Sequence, residues 1–105
     1  MKRNAFIMRL HPGCADEYKK RHDEIWPLLK EELRRAGVRN YSIYLDPLSG
    51  TLFAYQELAR DDARGGELAE NETVKKWWHM MKDIMDTNPD ESPVSTGLCE
   101  VFHMD

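Results

Sequence analysis

Tyr18 and His22 stand one helical turn apart, and Ile25 and Leu29 follow at the spacing that keeps all four on one helix face. Packing alone would make such a stripe apolar throughout, yet a phenol and an imidazole occupy two of its positions. An imidazole with its ordinary pKa of about 6.5 suits proton transfer at neutral pH. By itself His22 fits a hydrogen-bonded structural histidine as well as a proton carrier, and Tyr18 fits packing. A second aromatic pair, Trp77-Trp78, projects its rings about 100° apart around a helix, so one reaches a core while the other flanks a groove. That arrangement reads either as core plus interface or as a flat wall for the C–H face of a sugar ring, with hydroxyls bonded by Tyr and His. Tyr41 and Tyr44 add phenols able to bond a polyol.

Other chemistries lack their residues. His11, His22, His79 and His103 form no cluster with Cys or acidic residues at metal-ligand spacing, so no metal is expected. Gly65-Gly66 lacks the strand–loop–helix context of a phosphate cradle, and no serine sits in a nucleophile elbow. Cys14 lies near a helix start, where a thiolate is favoured, but has no base near it in sequence. Lys+Arg 15 against Asp+Glu 19, with no basic run, argues against a nucleic-acid partner. Ala5–Met8 is too short an apolar run for a signal or membrane segment, and Cys14 and Cys99 make no disulfide framework. A cytoplasmic location is expected.

The 105 residues, 41% hydrophobic and 32% charged, suit one folded domain spanning 1–105. Ala5–Leu10 reads as a strand closed by His11-Pro12-Gly13. Cys14 to Gly37 is an amphipathic helical pattern that Pro27 must kink or break near Ile25-Trp26, with Gly37 as a left-handed cap. Asn40–Asp46 alternates, Tyr41, Ile43 and Leu45 on one face and Ser42, Tyr44 and Asp46 on the other. Pro47–Gly50 turns the chain into a partner strand, Thr51–Leu58. Asp61–Met85 is a second helical region, weakened around Gly65-Gly66 and strong from Val74 through Trp77, Trp78, Met81, Ile84 and Met85. Thr87–Ser95 is a loop long enough to suggest function, and Leu98–Met104 closes the chain as a strand.

The order is βαββαβ, the α+β pattern of a ferredoxin-like fold with helices on one sheet face. Ala5, Phe6, Ile7 and Met8 make the first strand apolar on both faces, so the open face needs a cover. A homodimer packing sheet to sheet about a two-fold axis, a dimeric αβ-barrel, supplies it, with a cavity between each sheet and its own helices or at the barrel mouth.

Tyr18 through His22, Ile25-Trp26-Pro27, Asn40–Asp46, Lys76-Trp77-Trp78 with Met81, and Asn88-Pro89-Asp90 through Ser92-Pro93-Val94-Ser95 together resemble the L-rhamnose mutarotase family, in its order and over nearly the whole chain. The resemblance implies the ferredoxin-like fold and its dimer. It also implies interconversion of the α and β anomers of L-rhamnose, a 6-deoxy sugar, without a cofactor. It assigns His22 as proton donor and Tyr18, Tyr41, Trp77 and Trp78 as sugar contacts; Gly65-Gly66 departs from the better helix expected there. Ring opening takes a proton from the anomeric hydroxyl and brings one to the ring oxygen; His22 would supply the latter and remove it on closure. The carrier of the other proton is unassigned: a tyrosine is a poor base unless shifted, and Asp46 or a bound water is an alternative. A noncatalytic sugar-binding dimer needs only the aromatic wall, and small monooxygenases or lactone isomerases share the fold but favour a more apolar pocket.

Overall fold

The computed structural model describes residues 1–59 and 66–105. Strand β1 (Lys2–Arg9) pairs antiparallel with β3 (Thr51–Leu58) in unbroken register from Lys2 opposite Leu58 to Arg9 opposite Thr51. β2 (Val38–Asp46) flanks β3, and the short β4 (Thr96–Gly97) flanks β1, giving the order β2-β3-β1-β4. Every pair is antiparallel, which is the ferredoxin-like arrangement expected from the element order. The inward sheet residues Phe6, Met8, Leu52 and Ala54 meet Tyr18, Leu29, Val74, Trp77 and Met81 from the helices in one core.

The break at Pro27 follows from ring sterics. α1 (Ala15–Asp23) stops, Trp26 is extended at φ −62, ψ 129, and Pro27 opens α2 (Pro27–Arg35) at a position where its missing N–H costs nothing. Gly37 ends that helix at φ 99, a left-handed conformation that a side chain would strain. The four-residue α3 (Gly66–Ala69) precedes α4 (Glu72–Met81). Asn71 caps α4 by accepting the Val74 N–H at 3.1 Å and donates to Glu32 at 3.0 Å, so a cap of about 1 kcal/mol also ties α4 to α2.

Several boundaries differ from the sequence expectations. β2 begins at Val38 instead of Asn40, with Val38 paired to Leu58. β1 begins at Lys2 instead of Ala5, because its polar first residues remain at the surface while pairing with β3. α4 ends at Met81 and not Met85: the chain turns so that Met85 bridges Leu10, the His11 N–H reaches the Ile84 carbonyl at 2.8 Å, and the Asp86 N–H reaches that of Arg9 at 3.0 Å. Ile84 and Met85 are buried as the helical pattern required, but by this turn. The closing strand is only Thr96–Gly97, and Leu98–Met104 does not extend it; Val101, Phe102 and Met104 are exposed. Of the weak helical stretch expected around Ala63–Leu68, residues 63–65 lie outside the described residues, and Gly66 opens α3.

Candidate active site

His22 sits in the last turn of α1. Its Nδ1 lies 3.0 Å from the Tyr18 carbonyl oxygen, which can only accept, so Nδ1 carries the proton and Nε2 is left for other work. The Tyr18 and His22 rings stack with centroids 4.3 Å apart. Trp77 meets His22 edge-on at 5.3 Å, and Trp26 meets Trp77 edge-on at 5.2 Å. Four rings from α1, the α1–α2 link and α4 therefore form one connected group.

Beside it lies a cavity of about 870 Å³ between the sheet and the helices. All five residues singled out from the sequence, Tyr18, His22, Tyr41, Trp77 and Trp78, line it. Tyr18 and Trp77 are each only 8% exposed and belong to its packed floor, whereas Tyr41, 39% exposed, stands nearer solvent. Tyr41 is delivered by an irregularity that the alternating pattern did not reveal. The register of β2 against β3 shifts between Arg39 and Ser42, with Asn40 left-handed at φ 45. After the shift Ile43 and Leu45 line the cavity with Tyr41.

Burial disfavours the charged form of both polar rings on the stripe. It pushes the Tyr18 phenol well above the ordinary tyrosine range, helped by the nearby Tyr41, which keeps the phenol protonated. It also holds the His22 imidazole below its ordinary value, against smaller opposing effects of the Tyr18 carbonyl and Asp23. The unfolded chain then takes up a proton near pH 6.5 that the folded chain refuses, so stability is complete above that pH and falls as pH drops through it. Denaturant titrations between about pH 7 and 5 should show this decline, and replacing His22 with Asn should remove the histidine's share of it.

Asp46 is not available as the second proton carrier. Its carboxylate accepts the Leu48 N–H at 3.1 Å and the Ser49 hydroxyl at 2.9 Å, which hold it below the usual carboxylate range, and it sits in the β2–β3 turn outside the cavity lining. Among the described residues no group of three or more His, Cys, Asp or Glu side chains is placed to hold a metal. The loop after α4 does reach the site: Thr87, Glu91 and Pro93 line the cavity, and a bridge between Thr87 and Pro93 closes the loop base. Glu91, left-handed at φ 71, is held by Lys82 at 2.6 Å and His79 at 2.9 Å. Trp26 and the individual loop side chains carry no separate functional signal in sequence. Only the Trp-Pro pair, which forces Trp26 to be extended, could have pointed to the first.

Residues 3–104 match the L-rhamnose mutarotase family. The chain is 51% identical over 105 residues to an L-rhamnose mutarotase of Oceanobacillus iheyensis, covering 100% of both. It is 52% identical over 104 residues to one of Listeria monocytogenes serovar 1/2a, covering 99% of both. The crystal structure of an L-rhamnose mutarotase from Formosa agariphila superposes with a TM-score of 0.91 at 50% identity, covering 100% of both chains.

Proposed function

The chain belongs to the L-rhamnose mutarotase family, and we propose that the cavity beside His22 is where it opens and recloses the pyranose ring of L-rhamnose. It is an isomerase of the anomer-interconverting type. What supports the site is the fixed tautomer of His22: Nδ1–H is spent on the Tyr18 carbonyl, while Nε2 has no partner among the described residues and the ring lines the cavity.

The anomeric oxygen O1 and the ring oxygen O5 are both bonded to C1, so one nitrogen can serve them in turn. Neutral Nε2 takes the proton of the anomeric hydroxyl. The resulting imidazolium delivers it to O5 as the C1–O5 bond breaks and the C1–O1 bond becomes a carbonyl. Burial makes that imidazolium a stronger acid than one in water, which favours the second transfer. Rotation about C1–C2 presents the other carbonyl face, and the same steps in reverse close the ring to the other anomer. No proton is gained or lost over the cycle. Trp78 gives the sugar an apolar wall above the floor that Trp77 forms, and the phenols of Tyr18 and Tyr41 bond its hydroxyls. Following the optical rotation of freshly dissolved α-L-rhamnose tests the activity. Relaxation faster than in buffer supports it, and an unchanged rate at micromolar protein opposes it.

A homodimer is part of this proposal. Across the outer face of the sheet Tyr44 pairs with Phe53, and Phe53 with Ile7, so the three side chains form one apolar row, with Tyr44 67% exposed. The exposed Val101 and Phe102 extend from the β4 edge. A second copy packed sheet to sheet would cover these groups, and sedimentation should return twice the chain mass. The free thiols Cys14 and Cys99 fit a single cytoplasmic domain spanning 1–105. No helix among the described residues is long and apolar enough to cross a membrane.

A further inference from the structure

We propose that Arg21 is a positioning residue, which holds His22 against Trp77 by fastening the last turn of α1 to the C-terminal end of α4. The inference rests on the reading of His22 as the proton carrier.

α1 needs such a fastening. It has nine residues, fewer than the roughly 12–15 at which an isolated helix begins to be stable, and Tyr18 is its one buried residue. Glu24 follows it without a glycine cap. On the cavity side α1 is held by the packing of Tyr18 in the core and by the edge of Trp77 against His22. Apolar packing is non-directional and does not by itself fix the orientation of the helix.

Arg21, next to His22 in the chain, reaches to the C-terminal end of α4, and its side chain is 18% exposed. Its Nε donates to Glu17 at 2.7 Å, one turn back, which aims the guanidinium. Nη1 donates to the Met80 carbonyl at 2.7 Å and to one Asp83 oxygen at 2.8 Å, and Nη2 to the other Asp83 oxygen at 3.2 Å. Met80 is in the last turn of α4, where carbonyls lack partners within the helix, so the clamp also satisfies an acceptor that the fold leaves open. The receiving segment is itself anchored: His11, beyond the end of β1, reaches the Asp83 carbonyl at 3.3 Å and the Asp86 carboxylate at 3.0 Å. The clamp leaves α1 one residue before His22 and lands three residues after Trp77, so it fixes the two backbones whose side chains meet at the site.

Only a planar fork with several donors can make these bonds together; a lysine, one ammonium on a flexible stem, reaches at most part of them. Because misplacing a reacting group by about 1 Å can cost 10²-fold, loosening the turn acts on the rate more than on sugar binding. Arg21→Lys should therefore lower kcat for anomer exchange by about tenfold or more and change KM by less than about threefold. The NMR titration of the His22 ring should move toward the value of a free histidine. Asp83→Asn, at a more exposed position, should act in the same direction, and the double variant should lose less than the product of the two single effects. Arg35→Ala, which removes a surface ion pair on α2, should leave kcat unchanged. A clamp that served only the fold would lower the melting temperature of both variants yet leave kcat and the His22 titration as in wild type well below that temperature. That result overturns the inference, and if Arg21→Lys does not fold, Asp83→Asn decides alone. Wild-type exchange in His22→Ala would instead remove the reading on which the inference rests.

Discussion

Replacing His22 with alanine slows anomer exchange on L-rhamnose by about 10²-fold or more, the range a general acid–base group contributes. Neither of the other two groups weighed for the proton, Tyr18 and Asp46, replaces it. The Tyr18 phenol is buried and pushed well above the ordinary range, so it does not ionise near neutral pH. Asp46 is committed to the β2–β3 turn. His22→Asn is the sharper form of the test, because an amide keeps a donor for the Tyr18 carbonyl and removes the titrating nitrogen, together with the ring contacts to Tyr18 and Trp77. Both variants should be equally slow. If the His22→Asn variant exchanged at the wild-type rate, the ring would be a packing and tautomer device, and the proton path would run through water.

Trp77→Ala should cost about 3–5 kcal/mol of folding stability, the usual range for a large aromatic removed from a core. Trp77 is 8% exposed and is packed edge-on between His22 and Trp26, so the cavity left behind opens onto the ring group and cannot be filled by a shift of one neighbour. Against a total of about 5–15 kcal/mol for a domain of this size, that is a large share. The midpoint of thermal unfolding should fall by more than about 12 °C, at about 4–8 °C per kcal/mol. Trp78→Ala should behave differently, for Trp78 is partly exposed on the cavity wall; its melting temperature should change little while KM for the sugar rises. Equal losses of stability in the two variants would contradict the division of the pair into a floor and a wall.

Much of this site is legible in the chain because its signals are local. A turn of helix puts Tyr18 and His22 on one face whatever the fold, Pro27 has to open a helix or break one, and Trp77-Trp78 has to divide its rings between two directions. All three expectations hold in α1, α2 and α4. The failures are long-range. α4 stops at Met81 because the chain must return to the end of β1, a bond between residues more than seventy positions apart that no periodicity in 74–85 announces. Leu98–Met104 has a strand's composition, but after the Leu98 N–H reaches the Ala5 carbonyl at 2.9 Å the ladder with β1 stops, and Val101, Phe102 and Met104 are left exposed. The bulge that carries Tyr41 to the cavity hides in a regular alternation, since Asn40 tolerates a left-handed backbone without any change of pattern. Arg21 reads in sequence as one charge among several on a solvated helix face; its partners at Met80 and Asp83 come from the other half of the chain.

Saturation-transfer NMR on equilibrated L-rhamnose tests the role of His22 without any coupling enzyme. Irradiating the anomeric proton of one anomer should attenuate that of the other in the presence of wild-type protein, and the transfer should fall to the level of buffer with His22→Asn. Transfer by His22→Asn equal to that of wild type, in a protein with an unchanged fold, would contradict the proposed proton path.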